Sequence, residues 1–150
     1  MSENLAQRLK GWERLPLDQL EPVDAWNRGD FETWIESFST QGQWHPFSMT
    51  QVEGEAGVYT GHDELRQFLR EVKETWERFQ ITVHEARQHD NLRLIHATIS
   101  ARGRTSGAEG STEAYILVVV GEGNKTEWAK VFPDFDQALE AASVRAGDIR

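Results

Sequence analysis

The 150-residue chain contains no cysteine. That absence removes disulfides, thiolate metal ligands and thiol nucleophiles together, and leaves the redox compartment open. Its longest apolar run, Tyr115 to Val120, is far too short to cross a bilayer. No basic and apolar leader opens the sequence, so a cytoplasmic address and no membrane partner are expected. Positive charge is scarce: 16 Lys and Arg against 25 Asp and Glu give a net charge of −9. Such a surface repels phosphate backbones, which argues against nucleic acid as a partner. Serine nucleophile elbows, phosphate loops and metalloprotease motifs are missing; Gly103, Gly107 and Gly110 match no phosphate-binding fingerprint. What is present, 38% hydrophobic and 27% charged residues over this length, suits one globular domain spanning 1–150.

Leu5, Leu9 and Trp12 stand at helical spacing before Pro16 and predict an N-terminal helix over 2–14. Leu17, Leu20, Val23 and Trp26 predict a second helix, ended at Gly29, where glycine supplies a left-handed conformation. Asp30 is placed to cap a third, with Phe31, Trp34, Ile35 and Phe38 on its apolar face. A short strand follows over Gln43 to Met49, then a glycine-rich loop over Val52 to Gly57. Thr60-Gly61-His62-Asp63 opens a long helix with Leu65, Phe68, Leu69, Val72 and Trp76 on one face. From Phe79 the hydrophobic period changes from 3.6 to 2. Turn signals at His89-Asp90-Asn91, Thr105 to Ser111 and Gly121 to Asn124 divide this region into four strands of an antiparallel meander. Pro133 ends the last strand, and Asp134 caps a short final helix. Helices followed by a long antiparallel sheet give an α+β domain with helices on one face of a curved sheet.

The succession Ala25-Trp26-Asn27-Arg28-Gly29-Asp30-Phe31, Trp44-His45-Pro46, Val58-Tyr59-Thr60-Gly61-His62-Asp63-Glu64-Leu65 and Asp134 with Gln137 to Ala142 resembles the SnoaL-like (polyketide cyclase-like) proteins of the nuclear transport factor 2-like superfamily. The likeness covers about residues 23–142. It implies a cone-shaped α+β barrel of the cystatin-like kind, with a strongly curved antiparallel sheet on N-terminal helices. It also implies a small-molecule pocket between helices and concave face, and a homodimer through the sheet. Chemistry varies widely on this fold, so the resemblance does not fix a reaction.

Three residues are candidates for acid–base work. His45 precedes Pro46 where the resembling isomerases carry their general base before a proline, and an imidazole titrates near neutral pH. The alternative for His45 is a hydrogen-bonded histidine at the pocket rim. Tyr115 and Lys130 are candidate donors to a ligand carbonyl if their strand faces look into the cone; otherwise they join an outer lattice with Arg102, Glu113 and Glu127. Trp26, Trp44, Phe47, Tyr59, Trp76, His96 and Phe132 are candidate pocket residues, because aromatic side chains line most small-molecule sites. If Phe79, Ile81 and Val83 pair with Ala101, Ile99 and Ala97, His84 and His96 become neighbours on the opposite face. A third ligand of helpful spacing is not evident, so no metal is expected.

Between Leu92 and Phe132 there is no aspartate, which disfavours the Asp-Arg-Asp apparatus of the resembling epoxide hydrolases. Pro22 and Ile116 stand where the resembling ketosteroid isomerases keep oxyanion donors, and neither can donate. The expected function is binding of a small hydrophobic molecule, with cofactor-free acid–base catalysis of isomerase, cyclase or hydrolase type on a carbonyl compound as the enzymatic form. A non-catalytic binding module and a dimeric interaction domain are the alternatives.

Overall fold

A computed structural model describes residues 9–46 and 57–148. The boundary between its two halves falls at Trp76, which helical spacing assigns to the long helix and which instead opens a strand ahead of the change of hydrophobic period at Phe79. Before it lie β1 (Glu13–Arg14), a 3₁₀ turn (Leu17–Gln19), α1 (Glu21–Asn27), α2 (Phe31–Glu36), β2 (Phe38–His45), β3 (Tyr59–Thr60) and α3 (Gly61–Thr75). After it come β4 (Trp76–His89), β5 (Leu92–Gly103), β6 (Glu109–Val120), β7 (Thr126–Phe132) and α4 (Phe135–Asp148). Among the described residues the strands form one curved, unclosed sheet in the order β1-β4-β5-β6-β7-β2-β3. The expected meander of four strands is its centre. No described helix is long and apolar enough to cross a membrane.

Alternation along the strands builds two cores on opposite sheet faces. On the inner face Ala97, Ile99, Ala114, Ile116 and Val131 meet helices α1 to α3, whose Trp26, Trp34, Ile35, Leu65 and Phe68 are buried. On the outer face Leu92, Leu94, Leu117 and Phe132 are covered by Phe135, Ala138 and Ala142 of α4. The last helix thus lies across the sheet from the others. The helices do not share one face as the order of elements implied, because strand phase sends Leu92, Leu94 and Leu117 outward and these need a cover.

The helix starts at Asp30 and Asp134 follow the predicted caps. Asp30 Oδ1 accepts from the Thr33 backbone N–H (3.3 Å) and Oδ2 from the Thr33 hydroxyl (2.7 Å). These bonds, aided by Arg28, hold the Asp30 carboxyl below its usual range. Asp134 Oδ1 likewise accepts from the Gln137 N–H at 2.9 Å. At α3 the Thr60 side chain makes no cap; its backbone N–H donates to Glu64 Oε1 at 2.8 Å, one residue beyond the capping-box position Asp63.

Three boundaries depart from the sequence reading. Residues 2–8 of the expected first helix lie outside the described residues, and its end is strand. Gly11 takes φ +90° and breaks the helical path, and Leu15 N–H donates to Ala86 O, so β1 completes the edge of β4. The second helix is split: Leu20 is non-helical, and Pro22 suits a fresh first turn. The early strand begins at Phe38 and not Gln43, because β2 runs parallel to β7, pairing Phe38 with Thr126 and His45 with Lys130. Gly42 sits at an irregularity in that pairing, where a Cβ would come 2.6 Å from Thr126 O.

Among the described residues no strand borders residues 76–83 of β4 on their outer edge, since β1 pairs only with Arg87 and Gln88. Side chains of α1 fill the gap. Asn27 Nδ2 donates to Ile81 O at 2.7 Å, and Ile81 N–H donates to Asn27 Oδ1 at 2.9 Å. One amide thereby imitates a neighbouring strand and satisfies the exposed edge. Trp26 Nε1–H adds a bond to Phe79 O at 3.1 Å.

Candidate functional site

The helices stand off from the inner sheet face and leave a chamber of about 290 Å³. Trp26 of α1, Trp34 of α2 and Trp44 of β2 form one wall, and Phe68 of α3 and Phe79 of β4 face them. Ile81, Ile99, Ile116 and Val131 make the sheet floor. The rings meet edge to face: Trp26 with Trp34 at 5.1 Å and 70°, Trp34 with Trp44 at 5.6 Å and 87°, and Trp26 with Phe79 at 5.5 Å and 71°. Such contacts fix ring positions more firmly than aliphatic packing does, so the hollow has a defined shape.

Polar groups are few and placed at the ends. At the mouth, where Glu71 and Thr75 are exposed, the Tyr59 hydroxyl donates to Glu71 Oε1 at 2.5 Å. Burial, with the Glu71 carboxylate beside it, pushes the Tyr59 phenol up to about 12. Within the wall, Trp44 Nε1–H is buried and meets no acceptor among the described residues. An unpaired buried donor costs about 1–3 kcal/mol, so it is a standing demand for an acceptor.

Of the predicted pocket residues, Trp26, Trp44, Tyr59 and Trp76 line this chamber. Phe47 lies outside the described residues. The others are on the wrong side of the sheet. Trp44 pairs with Ala129 on the inner face, so its neighbour His45 turns outward beside Lys130, lies tilted by 48° with its ring centre 5.3 Å from that of Trp128, and contacts Gln43. Two consecutive strand residues cannot both look inward. The same rule places His96 opposite Ala97, Tyr115 opposite Ile116, and Lys130 and Phe132 opposite Val131. His45, Tyr115 and Lys130 are therefore not among the residues that line this chamber.

The outer residues form a set of their own. His84 and His96 are neighbours, as the register implied, with ring centres 5.0 Å apart; an extra residue in β4 between Val83 and Glu85 keeps them close. His96 Nε2–H donates to Glu113 Oε1 at 2.7 Å, Thr98 donates to Glu113 Oε2 at 2.6 Å, and His84 Nε2 meets Thr98 Oγ1 at 2.6 Å. These bonds hold the Glu113 carboxyl below its usual range. His96 stacks on Tyr115 at 4.8 Å, and Tyr115 on Phe135 at 5.6 Å. Arg102 joins Glu77 and Glu109 instead of Glu113.

Sequence reasoning passed over the floor and the mouth of the chamber. Ile81, Ile99, Ile116 and Val131 carry no chemistry-bearing atoms, but each is the inward member of an alternating pair, and that phase was a usable signal. Glu71 follows Phe68 by three residues and precedes Thr75 by four, on one face of α3.

The fold is shared with known proteins. The sequence profile of the SnoaL-like domain matches residues 21–139. The chain belongs to the SnoaL-like family. Solved structures of this SnoaL-like protein's fold agree. An NTF2-like protein of unknown function from Burkholderia pseudomallei superposes with a TM-score of 0.67 at 16% identity, over 80% of this chain and 90% of that one. TerC, co-crystallised with polyporic acid, gives 0.67 at 14% identity, over 81% and 92%. A putative SnoaL-like polyketide cyclase from Mesorhizobium loti gives 0.57 at 14% identity, over 75% and 92%. Among curated proteins none matches. Likeness at these identities establishes the fold and leaves the reaction to the site.

Proposed function

We propose that this SnoaL-like domain binds a small, largely apolar, carbonyl-bearing molecule in the aromatic chamber. One observation carries the reading: a hollow of about 290 Å³ walled by tryptophans, with a buried indole N–H that has no acceptor among the described residues. The volume is near the lower bound of small-molecule sites, and the lining matches their usual chemistry. A carbonyl oxygen would satisfy Trp44, and ring edges would embrace an apolar body. Co-crystallisation of TerC with polyporic acid supports a ligand-holding role for this fold. Native mass spectrometry on protein purified from its own host, with release of any retained molecule, tests the proposal. The expected result is a defined mass increment, or saturable binding of added 1-naphthol. A chamber that retains nothing and takes up no naphthol at millimolar concentration overturns it.

A second reading, cofactor-free acid–base catalysis, is favoured by the Tyr59–Glu71 pair at the mouth. Glu71 is the carboxylate positioned to take a proton from an acidic carbon, with Tyr59 as donor to the developing oxygen. Once a substrate is known, Glu71→Gln and Tyr59→Phe should each lower kcat at unchanged fold. The outer face, where His84, His96, Thr98 and Glu113 stand beyond the cover of α4, is the surface we assign to a second copy of the chain, and light scattering on the purified protein tests it.

A further inference from the structure

A smaller hollow of about 80 Å³ adjoins the chamber, and Trp26, Trp34, Trp44, Ile81 and Ile116 are the wall common to both. Its far side carries Arg93, on the inner face of β5 between outward Leu92 and Leu94. Arg14, Arg70 and Arg104, which have no ion pair among the described residues, are exposed. In a chain of net charge −9, Arg28, Arg66, Arg78, Arg87 and Arg102 all sit against carboxylates. Half-buried Arg93 has none among the described residues; its one hydrogen bond there runs from Nη2 to Asn124 Oδ1 at 2.9 Å. Burial alone pushes its guanidinium below its ordinary value, the mark of a charge partly stripped of water without compensation. A guanidinium stays charged regardless and retains four other N–H donors.

Two donors thus border one small apolar hollow from different elements: the Arg93 fork on β5 and the unpaired Trp44 indole N–H on β2. Among the described residues Trp44 Nε1–H has no acceptor and Arg93 has only the Asn124 amide oxygen, so a carboxylate would answer both. We propose that the smaller hollow is a carboxylate subsite, so that the ligand is an apolar organic acid whose body fills the tryptophan chamber and whose carboxylate seats on Arg93. This inference rests on the chamber taking an apolar body. A carboxylate on a half-buried guanidinium gains charge-assisted, bidentate bonds that a neutral amide of the same shape cannot make.

The test uses 4-phenylbutyrate and its neutral amide, 4-phenylbutanamide, a ring on a flexible tether that reaches past the shared wall. Both are titrated calorimetrically at pH 7 into the full chain and into Arg93→Gln, with near-ultraviolet circular dichroism to confirm native packing. The acid is expected to bind the wild type at least tenfold more tightly than the amide. In Arg93→Gln the two should bind within about twofold, with the amide affinity unchanged. Equal binding of acid and amide by the wild type overturns the subsite and leaves the apolar chamber standing. An acid preference that survives in Arg93→Gln overturns it too, by placing the anion elsewhere. Binding of neither compound removes the apolar-ligand reading and this inference with it.

Discussion

Replacing Asn27 with alanine strips the free edge of β4 of its side-chain substitute for a strand. The two bonds to Ile81, at 2.7 and 2.9 Å, vanish together. Each is worth about 1 kcal/mol net, and a part-buried Ile81 N–H and C=O left without full solvation add to that, so the loss is about 2–3 kcal/mol. For a chain of this length each kcal/mol moves Tm by about 2–4 °C, giving a fall of roughly 4–12 °C. Ile81 also floors the chamber, so probe affinity should weaken in the same variant. Chemical denaturation measures the first effect, and amide hydrogen exchange at Ile81 locates it, since protection there depends on Asn27 Oδ1. A loss under about 0.5 kcal/mol, or unchanged exchange at Ile81, would refute the claim that a single amide closes the sheet edge.

Two further outcomes follow from the ionisable groups. The chain has two tyrosines, and both phenols lie above their ordinary value, Tyr59 at about 12 through burial and Glu71; ultraviolet titration should therefore show less than half of the phenol ionised at pH 10. Glu71→Gln should bring one of the two transitions down, and an unchanged titration would break the Tyr59–Glu71 assignment. The Glu113 carboxyl is held low first by Thr98 and then by His96. Because the folded value is depressed, its contribution to stability is full above the unfolded carboxyl value and is lost as pH falls through the folded one. Thr98→Val should raise the Glu113 midpoint toward 4.5 in a carbon-13 carboxyl titration, and no movement would show that the Thr98 bond is not the cause.

The fold was legible because its largest signals are periodic and local. The caps Asp30 and Asp134 and the turns at Asp90-Asn91 and Gly121–Asn124 all appear where the chain dictates, and the change from helical to alternating structure comes at Trp76, slightly ahead of Phe79. The first residues were not, since Gly11 and the vacant edge of β4 together outweigh the spacing of Leu9 and Trp12. The site was half legible for one physical reason. Residue type marked Trp26, Trp44, Tyr59 and Trp76 well, but strand phase decides which side chain faces a ligand, and phase contradicts His45 next to Trp44 and Tyr115 next to Ile116. Arg93 was hidden differently. Its interest lies in the missing carboxylate, and an absent partner shows only when neighbours are placed in space.

The six tryptophans supply the most direct test of the ligand-chamber claim, because four line the chamber and Trp12 and Trp128 lie on the opposite sheet face. Nitrogen-15 spectra of the indole N–H groups, recorded during titration with 4-phenylbutanamide, report each one separately. The account predicts saturable shifts at Trp26, Trp34, Trp44 and Trp76, with Trp44 moving most as its N–H gains an acceptor, while Trp12 and Trp128 stay in place. Shifts confined to Trp12 and Trp128, or none at any indole, would contradict it.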